Sequence, residues 1–137
     1  MPADPAISAR TTDQAGRFVV SVRANHFVAD ATEKRGGAGE APTATEWMLT
    51  SLASCGLAVI TDEARKRRIP ASSVTVDSTA TQDPQDRTRF SRVTMHWRFT
   101  GITQAQADEL VRAFTDVCPI YNTIARTTPT EVWGEAV

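Results

Sequence analysis

Pro42-Thr43-Ala44-Thr45-Glu46-Trp47-Met48-Leu49-Thr50-Ser51-Leu52-Ala53-Ser54-Cys55-Gly56-Leu57-Ala58-Val59-Ile60 is the stretch from which the rest of the chain is best read. Proline is tolerated in a first helical turn, and Thr43 or Thr45 can cap the helix that follows. No further proline comes until Pro70, so the content predicts one long helix over residues 45 to about 68. Its first half is apolar nearly all round, which predicts burial on several sides. Ala53, Ser54, Cys55, Gly56 and Ala58 are small and let another backbone approach. The second half, Thr61-Asp62-Glu63-Ala64-Arg65-Lys66-Arg67-Arg68, is solvent-facing, and its basic end complements the negative pole of the helix dipole.

Upstream, Phe18, Val20 and Val22 alternate with Val19, Ser21 and Arg23, a strand pattern. His26-Phe27-Val28-Ala29 reads as its hairpin partner across Ala24-Asn25. Residues 1–16, rich in Pro, Ala, Asp, Thr and Gln, read as a loose or edge segment. Residues 31–41 carry Gly36, Gly37 and Gly39 among charges, which is loop composition. Downstream, residues 74–81 and 88–99 read as an antiparallel hairpin turning at Asp83-Pro84-Gln85-Asp86. Val93, Met95, Trp97 and Phe99 fall on its buried face, and Thr94, His96 and Arg98 on the other. Thr103 with Gln106 forms a capping-box pattern. Ala107, Leu110, Val111, Phe114 and then Val117 or Cys118 follow a helical stripe that Pro119 breaks or re-aims. A short helical turn over 121–126 and a last strand over 130–133 complete the order. Runs of strands beside helices predict an α+β fold, a single domain over residues 1–137.

The 137 residues suffice for one hydrophobic core. Charged residues at 23% and hydrophobic residues at 41% exclude a disordered chain. Fifteen Lys+Arg against sixteen Asp+Glu argue against holding nucleic acid by bulk charge. The longest apolar stretch, residues 47–60, contains Thr50, Ser51 and Ser54 and falls short of the roughly 20 residues that cross a bilayer. The N-terminus shows no basic region followed by an apolar run, so a cytoplasmic location is expected. Two cysteines are too few for a secreted disulfide scaffold, and a reducing compartment keeps them as thiols unless they do redox work.

Cys55 reads either as a small buried hydrophobe or as a nucleophile. The second role needs a cation to lower its pKa. Arg35, in the glycine-rich loop, is one source; Arg10 and Arg17 are others. Cys118 shares the apolar stripe and so also fits a core. Spacing alone cannot pair two cysteines that lack a CxxC arrangement. Together with His26 and His96 they show no zinc-ligand spacing, so no metal is expected. Glu46 suits a first helical turn by charge. It precedes Cys55 by nine positions, a rise of about 13.5 Å and about half a turn out of phase, so the two cannot meet on one straight helix. Phosphate loops, GxGxxG, HExxH and GxSxG are absent, so no cofactor is expected.

The stretch Gly36-Gly37-Ala38-Gly39-Glu40-Ala41 continuing through Cys55 resembles the OsmC/Ohr family of osmotically inducible and organic-hydroperoxide-resistance proteins. The family pattern is a glycine-rich loop, a Pro/Glu helix start and an apolar small-residue helix reaching Ala-x-Cys. Val117-Cys118-Pro119-Ile120-Tyr121 matches its second mark, a cysteine and proline ending a later helix. The resemblance spans about residues 18–135. It implies an intertwined homodimer, with antiparallel sheets wrapped around long central helices and the site at the subunit interface. It implies that Cys55 attacks the distal oxygen of an organic hydroperoxide and becomes a sulfenic acid. Cys118 then condenses with it to a disulfide, which an external dithiol resets. An arginine holds the thiolate and a glutamate holds the arginine. Arg35 matches the OsmC branch by distance, Arg10 or Arg17 the Ohr branch, and Glu46 the glutamate to within a residue. Ala44 stands where many members have proline, Thr45 where peroxidase branches have glutamate, and Gly56 where they often have an aromatic residue. Those departures fit a second reading, a non-catalytic module that holds a small hydrophobic ligand at the dimer cleft. An apolar cleft favours bulky organic peroxides over hydrogen peroxide.

Overall fold

An edge strand β1 (Ser8–Thr11) pairs antiparallel with β2 (Arg17–Val22), and β2 pairs antiparallel with β3 (Asn25–Asp30). The structure, a computed structural model, describes residues 4–137. Two compact units divide the chain, one ending at Met48 and the other running from Leu49 to Val137. The first holds the β1-β2-β3 sheet. Val22 pairs with Asn25, so the hairpin turns at Arg23-Ala24, one residue earlier than the pattern indicated. Arg23 takes φ 55°, the left-handed conformation that a tight two-residue turn demands. After β3 the chain makes a single 3-10 turn, Glu33–Arg35, closed by Gly36 at φ 85°. A side chain on Gly37 would collide with the Ala31 carbonyl, so only glycine allows this backbone approach.

Helix α1 (Ala44–Arg67) crosses from the first unit into the second. Pro42 stands ahead of it rather than in its first turn, and the Thr43 carbonyl accepts the Trp47 N–H at 2.9 Å. The far end is a Schellman closure. Arg68 is left-handed at φ 56°, the Arg68 N–H reaches the Arg65 carbonyl at 3.3 Å, and the Ile69 N–H reaches the Ala64 carbonyl at 2.9 Å. The helix thus ends before Pro70, and the burial of Ile69 and Ala64 supplies the apolar contact of that motif.

In the second unit, β4 (Ser73–Gln82) pairs antiparallel with β5 (Phe90–Thr100). The turn between them is organised by Asp83, whose carboxylate accepts the Gln85 N–H at 2.9 Å and the Asp86 N–H at 3.2 Å. Val93, Met95, Trp97 and Phe99 are fully buried, as their alternation requires. Helix α2 (Gln104–Val117) starts with the expected capping box between Thr103 and Gln106. Its stripe of Ala107, Leu110, Val111 and Phe114 is buried and passes to Cys118, while Val117 is exposed. Helix α3 (Pro119–Ala125) begins at Pro119, two residues before the expected turn.

Strand β6 (Thr130–Ala136) pairs with β5 in parallel, so this sheet is mixed rather than wholly antiparallel. The reason is the connection: two helices carry the chain back across the sheet before it pairs again. It runs longer than the four residues expected. Gly134 lets α2 approach, since a Cβ there would lie 2.8 Å from Val111. The Gln104 side chain donates to the Gly134 carbonyl and accepts the Ala136 N–H, satisfying the outer edge of β6.

The first half of α1 is not buried on several sides. Leu52, Gly56, Ile60 and Ala64 form one buried stripe. Trp47, Met48, Leu49, Leu57 and Val59 keep part of their surface exposed, because the core of the single chain covers one face of the helix. Among the described residues no helix is long and apolar enough to cross a membrane.

Candidate functional site

Cys55 on α1 and Cys118 at the α2–α3 junction form a disulfide across a sequence separation of 63, with Cα atoms 6.4 Å apart. Both sulfurs belong to the second unit. Cys118 ends one helix and starts the next. Its N–H donates to the Phe114 carbonyl at 3.0 Å, closing α2, and its Sγ accepts the Tyr121 N–H at 3.4 Å, capping α3. Pro119 follows as the first residue of α3, where its missing N–H costs nothing. The Asn122 side chain donates to the Cys118 carbonyl at 2.9 Å and to the Thr115 carbonyl at 3.1 Å, fixing the bend between the helices. Cys118 has no exposed surface, whereas Cys55 is only partly buried against the same core.

Gly56, the residue after Cys55, lies under Trp97. A Cβ there would come within 2.6 Å of the indole ring and 3.1 Å of Phe114. Trp97 meets Phe114 edge-on at 5.4 Å, and Phe114 meets Tyr121 at 5.2 Å. An aromatic column therefore runs from the helix beside Cys55 to the cap of Cys118. The aromatic at this place comes from the sheet and not from position 56.

The other named residues lie in the first unit. Arg35 ends the 3-10 turn, exposed, with no ion pair among the described residues. Arg10 lies on the exposed edge strand β1. Arg17 is tied down: its guanidinium makes two bonds to the Asp30 carboxylate, at 2.8 and 2.9 Å, and one to Glu40 at 2.9 Å. The exposed Glu46 carboxylate accepts the Thr43 N–H at 2.7 Å and the Thr43 hydroxyl at 2.9 Å. The N–H first, and then the hydroxyl, hold Glu46 below its ordinary carboxylate pKa. An open depression of about 340 Å³ beside it is lined by Gly39, Glu40, Ala41, Pro42, Thr43 and Glu46. Neither cysteine lines it.

Asp30 is a residue that the sequence reading passed over. Its side chain is fully covered, and besides Arg17 it accepts the N–H groups of Glu40 at 3.1 Å and Ala41 at 2.9 Å. Its own N–H donates to the Pro42 carbonyl at 3.1 Å, and the Ala31 N–H donates to the Gly16 carbonyl at 2.7 Å. Asp30 thus anchors the start and the end of the loop that bears Arg35. An acid at the end of a weakly alternating strand carries no local signal of burial, which explains the omission. Arg17 and then the Ala41 N–H hold Asp30 far below the ordinary carboxylate pKa. A depressed folded-state pKa contributes stability that is complete above the unfolded value of about 3.9 and is lost as pH falls through the folded one. Asp30→Asn is expected to lower stability at neutral pH and to flatten its loss on acidification below about pH 4. Amide hydrogen exchange at Glu40 and Ala41 checks this, and unchanged protection at both would refute the anchor.

A family model described as OsmC-like protein matches residues 37–132. No curated protein matches the chain significantly. Among solved structures, an OsmC-like protein from Mycoplasma pneumoniae superposes with TM-score 0.87 at 17% identity, covering 100% of this chain and 99% of its own. The organic hydroperoxide resistance protein OsmC from Legionella pneumophila superposes with TM-score 0.77 at 21% identity, covering 99% and 100%. An organic hydroperoxide resistance protein from Elizabethkingia anophelis does so with TM-score 0.79 at 17% identity, covering 100% of both chains. At these identities the likeness establishes the shared α+β fold.

Proposed function

The chain belongs to the OsmC-like protein family, and from that membership we propose that it is a thiol-dependent peroxidase acting on organic hydroperoxides. The observation that carries the proposal is the Cys55–Cys118 disulfide, the product expected of one catalytic round. Two relatives of the same fold are named for organic hydroperoxide resistance. In the cycle, the Cys55 thiolate attacks the distal peroxide oxygen. The O–O bond breaks, and the alkoxide leaves and takes a proton to become the alcohol. Cys55 is then a sulfenic acid. The Cys118 thiolate attacks its sulfur, and the hydroxyl leaves with a proton as water. An external dithiol returns the two electrons.

Arg35 is the proposed cation for the Cys55 thiolate. Its exposed guanidinium, without an ion pair among the described residues, supports that role over Arg17, whose charge is already shared by Asp30 and Glu40. Glu46, kept ionised at the helix start, is the proposed anion that orients the arginine. The working form is a homodimer. Exposed Phe27 and Val28 supply apolar surface that it would bury. Such apolar walls favour a bulky peroxide over hydrogen peroxide.

The test is a free-thiol count on the reduced protein before and after one equivalent of cumene hydroperoxide, with intact mass under denaturing conditions. The expected result is a fall from two thiols to none and a loss of two hydrogens per chain, reversed by a dithiol. Survival of both thiols overturns the peroxidase and leaves the ligand-binding module.

A further inference from the structure

The two sulfurs of the Cys55–Cys118 bridge are unequal targets for a reductant. Thiol–disulfide exchange needs access to the attacked sulfur along the S–S axis, from the side opposite the leaving sulfur, and it runs faster when the leaving thiolate is stabilised. Cys118 has no exposed surface and lies within the core formed with Phe114 and Tyr121, so an incoming thiol finds no approach to it. Cys55 is partly buried and retains open surface. The leaving-group preference points the same way. The Tyr121 N–H donates to Cys118 Sγ at 3.4 Å, and Cys55 Sγ has no N–H or O–H donor among the described residues. A thiolate at Cys118 would keep that hydrogen bond through its formation, and α3 would keep its cap.

We propose that an external dithiol attacks Cys55 Sγ and expels Cys118 as the thiolate; the assignment rests on the peroxidase reading above. One thiolate of the reductant forms a new S–S bond to Cys55. The Cys55–Cys118 bond breaks, its electron pair stays on Cys118 Sγ, and that sulfur later takes a proton from solvent. The second thiol of the reductant, deprotonated, then attacks the reductant sulfur of the mixed disulfide. Cys55 leaves as the thiolate and the reductant closes to a cyclic disulfide, oxidised by two electrons as the protein is reduced by two. Peroxide and reductant therefore meet the same sulfur in turn, and Cys118 serves both half-reactions from inside the core.

The experiment is an adduct map on the full chain. The disulfide is formed with diamide, the oxidant is removed, and a brief pulse of 2-mercaptoethanol is quenched in acid before N-ethylmaleimide labels the released thiol. Peptide masses then locate both groups. The expected result is mercaptoethanol on the Cys55 peptide and maleimide on the Cys118 peptide, in at least about tenfold excess over the reverse. Equal labelling, the reverse pattern or the absence of any diamide-formed disulfide overturns the proposal. Because diamide sets the bridge, the map reads out whether or not the protein consumes peroxide. A Cys55 adduct beside a failed peroxide test would sink the enzyme and keep the order of attack.

Discussion

Cys55→Ser is expected to bring cumene hydroperoxide consumption down to the uncatalysed rate, a loss of at least about a thousandfold. A serine hydroxyl at this place is not ionised near neutral pH, and alkoxide attack on an O–O bond yields no counterpart of the sulfenic acid. Cys118→Ser is expected to behave differently. With no dithiol present it should consume one equivalent of peroxide and then stop, with Cys55 trapped as a sulfenic acid that a dimedone label detects by mass. The contrast distinguishes chemistry from packing, because both cysteines pack against the same core. Unchanged turnover in Cys55→Ser, or a Cys118→Ser protein that gives no dimedone adduct on Cys55 after peroxide, would remove the two-cysteine cycle.

Gly56→Ala is expected to destabilise the protein, although alanine is the better helix former. The helix gains about 1 kcal/mol from the exchange. Against that, the new methyl would sit 2.6 Å from the Trp97 ring and 3.1 Å from Phe114. Both rings have no exposed surface, and Trp97 is wedged between Gly56 and Phe114, so neither can swing away. Overpacking of this kind costs about 1–3 kcal/mol, and a fused ring that cannot give puts the case at the upper end. The net loss is then about 1–2 kcal/mol. Gly56→Phe, which puts a whole ring where even a methyl collides, is expected to cost about 3 kcal/mol or more. Urea unfolding measures both. Trp97→Phe, made in the Gly56→Ala background, is expected to recover part of the loss, since it removes the ring that the methyl meets. A stabilised Gly56→Ala would show that the indole can move.

Much of this architecture is local and therefore legible in spacing. The two-residue period of Val93, Met95, Trp97 and Phe99 gives the buried face of β5, and Thr103 with Gln106 gives the start of α2. Alternation and capping involve neighbours a few residues apart, so the chain writes them directly. Boundaries shifted where a partner from elsewhere intervened. Helix α1 starts at Ala44 because Thr43 closes its first turn, and β6 runs on to Ala136 because Gly134 and Gln104 accommodate it against α2.

The candidate site divides along the same line. Glycine loop, helix start, Ala-x-Cys and Cys-Pro are short motifs, and they suffice to place Cys55 inside a long helix, Cys118 at the end of a later one and the chain in its family. Their joining was settled by packing. Sixty-three positions separate the cysteines, and only the return of α2 past β5 brings their Cα atoms to 6.4 Å. The same holds for the covered Asp30 carboxylate, for the engagement of Arg17 and for the indole above Gly56. Each depends on which distant segment arrives at a given point. Periodicity and caps are fixed by bonds along the chain, whereas burial and pairing are fixed by contacts across it, and no spacing rule encodes those before the chain has folded.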